Sequence, residues 1–539
     1  MSLLLKGSSL LLLFALVRTA VTYLRRRTLK DLQGPPTTSF WLGNEKDVRF
    51  QNEVGDVEFK WLRQYGTAWR STGVMGEEHL TIADPKAMQY VLHTSGYHFP
   101  KRKDVRAIVR FITGDGIVWT EGEDHQRHRK VMNPAFSSAQ LKGFVTLFHR
   151  AAAKLTQKWK DEAIATDPNG APTIDITKWM SRMTLDVIGE AGFDYNFGAL
   201  DNSDSALSAV YKNLFIDSTL YPSKFDMVFK STWRYLPEPI LHLFRYLPGR
   251  EYTRFRHYLD FVRKTAREVV EKSEETGNGK DIISILMRAN NSENPKTKLS
   301  DVEVVDQVST LLLAGHDTTA VSITWLLWEL AKHPEYQIKI REELAAARVE
   351  ATARGDSDFS IADLEGLTML QAALKEGMRL HPIVWTLVRS AGRDDVIPLA
   401  YPITTNSGGQ ISAIPVSKGQ NIQISICTYN RLPQVWGDDV DTFRPERFLN
   451  KDKDGQVSVG VYANLLNFSG GLRGCIGWRF SVLEMQTMLA GLIENFHFTL
   501  PDNAKEMQIL RKPTGLMVPM VKDHMELGSW MGLKVTSVR

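Results

Sequence analysis

The sequence predicts a mainly α-helical fold with a minor β portion. Long stretches carry apolar residues at helical spacing, the pattern of amphipathic helices packed on a core; these stretches are Leu141–Trp159, Ile174–Ala191, Tyr252–Lys272, Val302–Lys332 and Ser481–Phe496. Strand-like runs are few and short, the better ones being Leu80–Ala83, Asn421–Ile426 and His497–Leu500. Because 43% of the residues are hydrophobic and 24% charged, the composition is that of a packed globular protein and excludes a disordered or collagen-like chain.

Length and charge restrict the domain organisation and the partners. A chain of 539 residues is long enough for about three or four ordinary domains. Its 66 Lys and Arg residues nearly balance 62 Asp and Glu residues, so the sequence does not predict a nucleic-acid partner. The motifs described below extend from His125 to Cys475 and must build one site, which favours one large domain over several.

The N-terminus predicts membrane attachment. Ser8–Leu24 is mostly apolar and is followed at once by Arg25, Arg26 and Arg27. Basic residues after the apolar run favour a retained anchor with a cytosolic C-terminal flank over a cleaved signal peptide. Arg18 leaves two alternatives open, a spanning helix and a shallow interfacial helix. We expect an anchor over residues 1–27, a basic, proline-rich linker over 28–37 and a cytosolic body over 38–539.

The two cysteines, Cys427 and Cys475, cannot form a disulfide framework, and no C-x-x-C pair suggests zinc. Cys475 lies in the cysteine loop, residues 468–477, which reads FSGGLRGCIG. Its glycines allow the backbone to approach a flat group closely, and a position at a helix N-terminus favours a thiolate. This arrangement suits an axial iron ligand; the alternative is a buried structural cysteine.

The cysteine loop resembles the haem-binding loop of the cytochrome P-450 family, F-x-x-G-x-R-x-C-x-G, at every fixed position. The resemblance implies that Cys475 is the axial thiolate ligand of haem b. It also implies that Arg473 pairs with a haem propionate, that Phe468 shields the sulfur and that Gly477 belongs to the haem site. Ser481 departs from the Ala that many members carry four positions after this glycine.

Glu376 and Arg379 form E-x-x-R within the helical stretch Leu370–Leu380. Residues at i and i+3 can pair on one side of a helix, although a solvated surface pair is the default reading of such a spacing. The pair resembles the family's E-x-x-R, and Arg447 in P-E-R-F matches the third member of that network. The resemblance implies that these three buried residues brace the cysteine loop.

The long predicted helix Val302–Lys332 contains the sequence AGHDTT at residues 314–319. The small residues Ala314 and Gly315 suit either the approach of a flat cofactor or a close crossing of two helices. The segment resembles the family's A-G-x-D-T-T over the distal haem face. The resemblance implies that Ala314 contacts haem and that Asp317 and Thr318 are an acid–alcohol pair delivering protons during oxygen activation. It gives His316, at a variable position, no catalytic role.

The resemblance also implies cations for the haem propionates. His125 and Arg129, at i and i+4, can face one propionate; the family has W-x-x-x-R here, so His125 stands in place of Trp. Arg389 matches a third position that reaches a propionate. Arg127 is expected to point outward and, with Lys130, to form either a basic docking face for an acidic electron donor or a solvated charged face.

Five motifs in family order imply a cytochrome P-450 fold, formed by a single large domain plus the anchor, of the microsomal, fungal type. The resemblance implies a monooxygenase that receives electrons from NADPH through an NADPH-cytochrome reductase, anchored in the endoplasmic reticulum membrane. Its pocket is expected to be lined by residues 103–118, 311–318, 383–388 and 513–517. The apolar lining suggests a lipophilic substrate, for example a terpenoid of secondary metabolism. A peroxide-using or rearranging enzyme and a fatty-acid, sterol or xenobiotic hydroxylase remain alternatives.

Aromatic residues are dense between Ala206 and Arg250. They fit two interpretations, a mobile lid facing the membrane and an aromatic stripe in a helical core. The residues concerned are Tyr211, Phe215, Tyr221, Phe225, Phe229 and Trp233.

Overall fold

The structure is a computed structural model that describes residues 29–201, 214, 216–220, 222–276, 279–294, 296–449 and 457–538. The expected anchor, residues 1–27, lies outside the described residues, as do Tyr211, Phe215 and Tyr221. Across the described ranges, no helix is both long enough and apolar enough to cross a membrane.

Helices dominate the described chain, which confirms the predicted fold class. The α-helices are α1 Glu45–Arg49, α2 Asp56–Tyr65, α3 Pro85–Gln89, α4 Lys103–Thr113, α5 Gly122–Met132, α6 Ser138–Lys158, α7 Ile176–Phe193, α8 Ile216–Thr219, α9 Lys224–Thr232, α10 Glu238–Leu243, α11 Arg250–Thr276, α12 Ile282–Asn291, α13 Asp301–Lys332, α14 Pro334–Ala353, α15 Ile361–Gly366, α16 Thr368–Leu380, α17 Ile426–Tyr429, α18 Pro433–Trp436 and α19 Trp478–Asn495. All five predicted helical stretches are present, as α6, α7, α11, α13 and α19.

The strands form small sheets around the helical core. They are β1 Ala68–Thr72, β2 Glu78–Ile82, β3 Thr173–Asp175, β4 Thr386–Ser390, β5 Asp395–Thr404, β6 Gln410–Val416, β7 Asn421–Ser425, β8 Phe496–Thr499, β9 Ile509–Pro513, β10 Met517–Val521 and β11 Gly532–Ser537. One sheet has the order β1-β2-β7-β4, with β2 and β7 parallel, and another has the order β3-β11-β8. The hairpins β5-β6 and β9-β10 stand as separate two-stranded sheets.

Helix α13 lies at the centre of the helical core. It begins with a capping box, in which the Ser300 hydroxyl accepts from the Glu303 N–H while the Glu303 carboxylate accepts from the Ser300 N–H. Apolar and small residues around most of its surface let it pack against α4, α7, α11, α16 and α19 at once. Because α13 contacts these five helices at once, it fixes the residues that it carries relative to the rest of the core.

The segment expected to be a linker packs against the body instead. Leu29 and Leu32 are buried, and the Gln33 carbonyl accepts from the Arg70 N–H at 2.9 Å. Leu32 also forms a bridge with Thr405 beside the β5-β6 hairpin. Prolines exclude helix here but do not prevent an extended segment from pairing with a neighbour. The body therefore includes residue 29 onward.

The described part of the aromatic region divides between core and surface. The Trp233 side chain is fully buried and lies edge-on to Phe111, with ring centroids 5.9 Å apart, and near Tyr252. Phe225 is 78% exposed. The core interpretation therefore holds for Trp233 and fails for Phe225.

Candidate functional site

The cysteine loop is held by its own backbone. The Cys475 N–H donates to the Phe468 carbonyl at 2.8 Å, and the Gly474 N–H donates to the Gly471 carbonyl at 3.0 Å. Gly471 has a φ of +65°, and a Cβ there would lie 1.8 Å from the Leu92 carbonyl oxygen. Glycine is required because the loop lies directly on the Leu92 backbone. The close approach at Gly471 is thus to another part of the protein, which corrects the expectation of a flat group at this position.

The Cys475 thiol is accessible yet closely surrounded by protein. Its side chain is accessible, yet burial is the largest influence on the thiol and raises its pKa. The Gly477 N–H and the Arg129 guanidinium lower that pKa but do not outweigh burial. The Gly477 N–H, at the start of α19, acts in the direction expected of a helix N-terminus, but burial outweighs it, so a further positive charge nearby would be needed to deprotonate the sulfur.

Four cations gather above the cysteine loop. They are Lys101, Arg129, Arg389 and Arg473, of which Arg129 donates to the Gly474 carbonyl at 2.5 Å. Arg473 pairs with the Glu121 carboxylate, its Nε lying 3.1 Å from Oε2, and its guanidinium lies over the Tyr97 ring. Glu121 is also 3.8 Å from the Lys101 Nζ. Within the described residues, Glu121 is the carboxylate that pairs with members of this cluster, so the three arginines already leave the cluster with excess positive charge.

Two of these cations are strongly affected by burial. Burial lowers the pKa of Lys101 to about 7 and that of Arg389 to about 10, with neighbouring Arg473 acting in the same direction. The Arg389 Nε is buried and has no hydrogen-bond partner within the described part of the chain. A buried, unpartnered guanidinium nitrogen is costly unless an anion reaches it.

Sequence reasoning missed Lys101 and Glu121. The Lys101 Nζ donates to the carbonyls of Val118 and Thr120 at 2.5 and 2.9 Å. Its backbone pairs with that of Arg389 in an isolated antiparallel β-bridge. Neither residue belongs to a short pattern, so their only signal was position: Lys101 lies two residues before the expected pocket segment that begins at 103, and Glu121 directly precedes α5.

His125 lies beside this cluster on α5. Its Nδ1 is 2.7 Å from the Tyr97 hydroxyl, and the side chain is buried. Burial lowers the pKa of His125 to about 3, with Lys101 and Arg473 acting in the same direction. The imidazole is therefore neutral at physiological pH and can donate a hydrogen bond without adding charge.

Arg127 does not point outward as expected. Its Nη1 lies 3.0 Å from the Glu303 carboxylate of α13 and 3.1 Å from the Lys298 carbonyl. Lys130 remains exposed but pairs with Glu293 at 2.7 Å. The carboxylates come from Glu303 of α13 and Glu293 of the α12–α13 connection, so the basic docking face expected from Arg127 and Lys130 is corrected to a paired surface.

The residues expected on the distal side are consecutive on α13 but take separate partners. The Thr318 hydroxyl donates to the Ala314 carbonyl at 2.7 Å, while Ala314 itself is exposed. A Cβ on Gly315 would lie 2.8 Å from the Ile188 side chain of α7. Of the two readings of Ala-Gly, the close helix crossing therefore holds at Gly315.

Asp317 is held by its neighbour His316. The His316 Nε2 lies 3.0 Å from the Asp317 carboxylate, and Nδ1 lies 2.8 Å from the Leu312 carbonyl. A carbonyl only accepts, so Nδ1 carries a proton, and the carboxylate favours a second proton on Nε2. Burial lowers the pKa of His316, but the charge and hydrogen bond of Asp317 outweigh burial, and the pKa is raised overall.

Glu376, Arg379 and Arg447 meet beneath the cysteine loop and are all buried. The Glu376 carboxylate accepts from Arg379 at 2.7 and 2.8 Å and from the Arg447 Nε at 3.4 Å. The Asn467 Nδ2 donates to the Met378 carbonyl of α16 at 2.8 Å. This last bond connects the helix that carries E-x-x-R to the residue that precedes the cysteine loop.

The four segments expected to line the substrate pocket are neighbours in the fold. Helix α4 packs against α13. The Met517 N–H of β10 donates to the Ile383 carbonyl at 2.8 Å, and the Ser390 N–H at the end of β4 donates to the Pro100 carbonyl near the start of α4 at 2.9 Å.

Comparison with known proteins places this chain among fungal relatives. A sequence model of the family described as Cytochrome P450 matches residues 33–527. The chain is 31% identical over 527 residues to Cytochrome P450 monooxygenase claQ of Ampulloclitocybe clavipes, covering 95% of this chain and 94% of the relative. It is 32% identical over 526 residues to Cytochrome P450 monooxygenase 205 of Postia placenta, covering 94% and 92%. Monooxygenase 128 of Postia placenta is 33% identical over 527 residues, with coverage of 94% and 92%.

Proposed function

The chain belongs to the cytochrome P450 family, and from that premise we propose that it is a haem-thiolate monooxygenase with Cys475 as the axial iron ligand. It inserts one oxygen atom of O2 into a lipophilic small molecule, using electrons from NADPH delivered by a reductase. The observation that carries this proposal is the cation cluster beside the cysteine loop that holds Cys475.

The residues present fit a haem. Of the four cations, Arg473 and Lys101 pair with the Glu121 carboxylate, Arg129 bonds to a carbonyl, and the buried Arg389 Nε has no partner in the described residues. Two propionates would neutralise this excess charge and satisfy that nitrogen. An iron ion beside Cys475 would offset the burial that raises the thiol pKa. Arg129, Arg389 and Arg473 would hold the propionates, together with His125 and Lys101.

When bound, the haem iron supplies O2 activation and oxidation of the substrate C–H bond. The chain positions the reactants and moves protons. Asp317, with 29% of its side chain exposed, can take protons from solvent, and the neighbouring Thr318 hydroxyl can pass them on. Phe468 lies half-buried beside Cys475 and shields its sulfur, while Ala314 and Gly477 leave room for the flat ring.

The apolar pocket segments and the fungal relatives support a lipophilic substrate. Ile117, Ile383 and Met517 are buried apolar residues in three of the expected pocket segments. We place the reaction in secondary metabolism, with a terpenoid as the substrate class; fatty acids, sterols and xenobiotics are the competing lipophilic classes. We place residues 1–27 in the endoplasmic reticulum membrane as a single anchor, and the catalytic body, from residue 29 onward, in the cytosol.

The proposal is tested by Cys475→Ser with Cys427→Ser as the matched control. Cys427 is fully buried, with its sulfur against the Ser425 and Thr428 hydroxyls, so we assign it a structural role. Wild type and the control are expected to show the red-shifted absorption of a reduced thiolate-haem carbonyl complex. Cys475→Ser is expected to lose it. Survival of that band in Cys475→Ser would contradict the ligand assignment.

A second measurement separates the proposed reaction from the peroxide-using alternative. Product formation is expected to need NADPH and reductase, because the Asp317–Thr318 pair that delivers protons to reduced oxygen is present. Equal turnover with hydrogen peroxide alone, and none with NADPH and reductase, would establish the alternative.

A further inference from the structure

Asp306, in the first half of α13, is completely buried and joins three parts of the fold. Arg263 of α11 donates to its carboxylate through Nε at 2.7 Å and Nη2 at 2.8 Å. The Asp115 N–H, in the loop that follows α4, donates to the same carboxylate at 2.7 Å. The Asp306 carboxylate of α13 therefore connects this helix both to α11 and to the loop after α4.

Gln307 holds the same loop two residues further along. Its Oε1 accepts from the Ile117 N–H at 3.0 Å, and its Nε2 donates to the Glu303 carbonyl at 3.1 Å. Nε2 also lies 3.0 Å from the His128 Nδ1. Only this orientation of the Gln307 amide fits, because the flipped amide would place its NH2 against the Ile117 N–H donor and its oxygen against the Glu303 carbonyl.

His128 extends this contact to α5, the helix that carries Arg129. It is fully buried, and its Nε2 lies 3.1 Å from the Glu303 carboxylate. Burial lowers the pKa of His128, which keeps Nδ1 an acceptor for Gln307. Gln307 thus contacts both the loop and the helix beside the cation cluster.

Two glycines let the loop lie directly on α13. A Cβ on Gly114, which has a φ of +66°, would lie 2.3 Å from the Asp306 carboxyl carbon. A Cβ on Gly116 would lie 1.9 Å from the Thr310 hydroxyl oxygen. On its other side the loop is held by Arg110, which pairs with Asp115 at 2.6 Å and lies over the Trp119 ring. The loop is therefore fixed from two directions.

We propose that Asp306 and Gln307 are positioning residues that clamp the loop 114–119 against α13 and thereby set the shape of the substrate pocket. Gln307 accepts a hydrogen bond from the Ile117 N–H, and Ile117 lies in a segment assigned to the pocket wall. That assignment, and the effect on ligand selection, rest on the proposed function. The clamp itself rests only on the contacts described above.

A purely structural role offers the competing explanation, in which the Arg263–Asp306 pair joins α11 to α13 and the loop follows passively. The two explanations differ for Gln307, whose side chain bonds to Ile117, Glu303 and His128, none of which belongs to α11. Removing its acceptor oxygen releases the loop without breaking the ion pair between the helices.

The experiment compares Gln307→Met and Asp306→Asn with Ser309→Ala. Ser309 is a matched control because it is buried on the same helix and its hydroxyl has no hydrogen-bond partner in the described residues. Amide hydrogen exchange of a peptide spanning 114–119 is expected to accelerate about tenfold in Gln307→Met, and at least as much in Asp306→Asn. The control is expected to match the wild type.

Ligand selection supplies the second readout. Spectral titration with imidazole and with 4-phenylimidazole measures their two dissociation constants. The ratio of these constants is expected to change at least about threefold in Gln307→Met, because displacement of the loop changes the space available to the larger probe. Unchanged exchange over 114–119 in a folded Gln307→Met protein would overturn the clamp, even if Asp306→Asn fails to fold. Accelerated exchange with an unchanged ratio would overturn its role in pocket shape. If azole spectra fail in the wild type as well, the haem assignment fails, while exchange still decides the clamp.

Discussion

The cysteine loop and the 314–318 segment of α13 hold their functional side chains in different ways. In the loop, backbone groups do the holding: the Cys475 N–H donates to the Phe468 carbonyl, and Gly471 lies against the Leu92 carbonyl. In α13, side chains do it, because His316 pairs with Asp317. The position of Cys475 therefore depends on the residues that support the loop backbone, whereas the position of Asp317 depends on the protonation of His316. The predictions below test this difference.

The largest effect is expected beneath the loop, in Glu376→Gln. Both carboxylate oxygens of Glu376 accept from arginines or from the Arg444 N–H, so either orientation of a Gln amide would place its NH2 against donors. Loss of the only side-chain carboxylate bonded to the fully buried Arg379 in the described residues is expected to destabilise the protein by about 3–5 kcal/mol. Urea unfolding followed by circular dichroism measures this change.

The matched control for this prediction is Glu365→Gln, an exposed carboxylate shortly before α16. It is expected to unfold within about 0.5 kcal/mol of the wild type. If Glu376→Gln were equally mild, the loop would be supported by its own backbone bonds alone, and the distinction between support and loop would fail.

The next effect concerns the protonation of His316. Asp317 raises the pKa of His316 above its ordinary range, so the pair contributes stability that is fully present below the unfolded histidine pKa of about 6.5. This contribution is lost as pH rises through the higher folded pKa. His316→Gln is expected to lose about 2 kcal/mol at pH 6 relative to the wild type, and the loss should shrink steadily toward alkaline pH.

Urea unfolding midpoints between pH 6 and pH 9 measure this dependence, with the exposed His257→Gln as the control. A difference between wild type and His316→Gln that is the same at every pH would mean that His316 acts through packing. In that case Asp317 would not be held by a charge.

These two regions also differ in how far sequence reasoning could reach them. The cysteine loop and the E-x-x-R pair are short motifs that the residues themselves reveal, although their supports, Leu92 against Gly471 and Arg447 beside Glu376, lie far away in the chain. On α13, which side Gly315 and Asp317 face depends on packing. Gly315 meets Ile188 on a helix more than a hundred residues earlier in the chain, and no local pattern carries that information.

The sheets and the cation cluster illustrate the same limit. Strands β2 and β7 were predicted individually, but their parallel pairing of His79 with Asn421 depends on tertiary contacts. Arg127 was expected to face solvent because helical geometry alone separates it from Arg129. Its carboxylate, Glu303, belongs to a helix that begins at residue 301, and only the folded chain brings the two together.

The smallest effect lies where the two regions touch. Ser481 of α19, the departure from the family pattern, lies 2.9 Å from Thr319 of α13, hydroxyl to hydroxyl. Ser481→Ala is expected to destabilise the protein by about 1 kcal/mol, measured by urea unfolding. A cycle with Thr319→Ala should give a coupling energy of about 0.5–1 kcal/mol, since either substitution removes the same bond. Additive losses would mean that the helix after the cysteine loop and the 314–318 segment are energetically independent at this contact. A measurable coupling would instead show that the Ser481–Thr319 contact links the stability of the helix after the cysteine loop to that of α13.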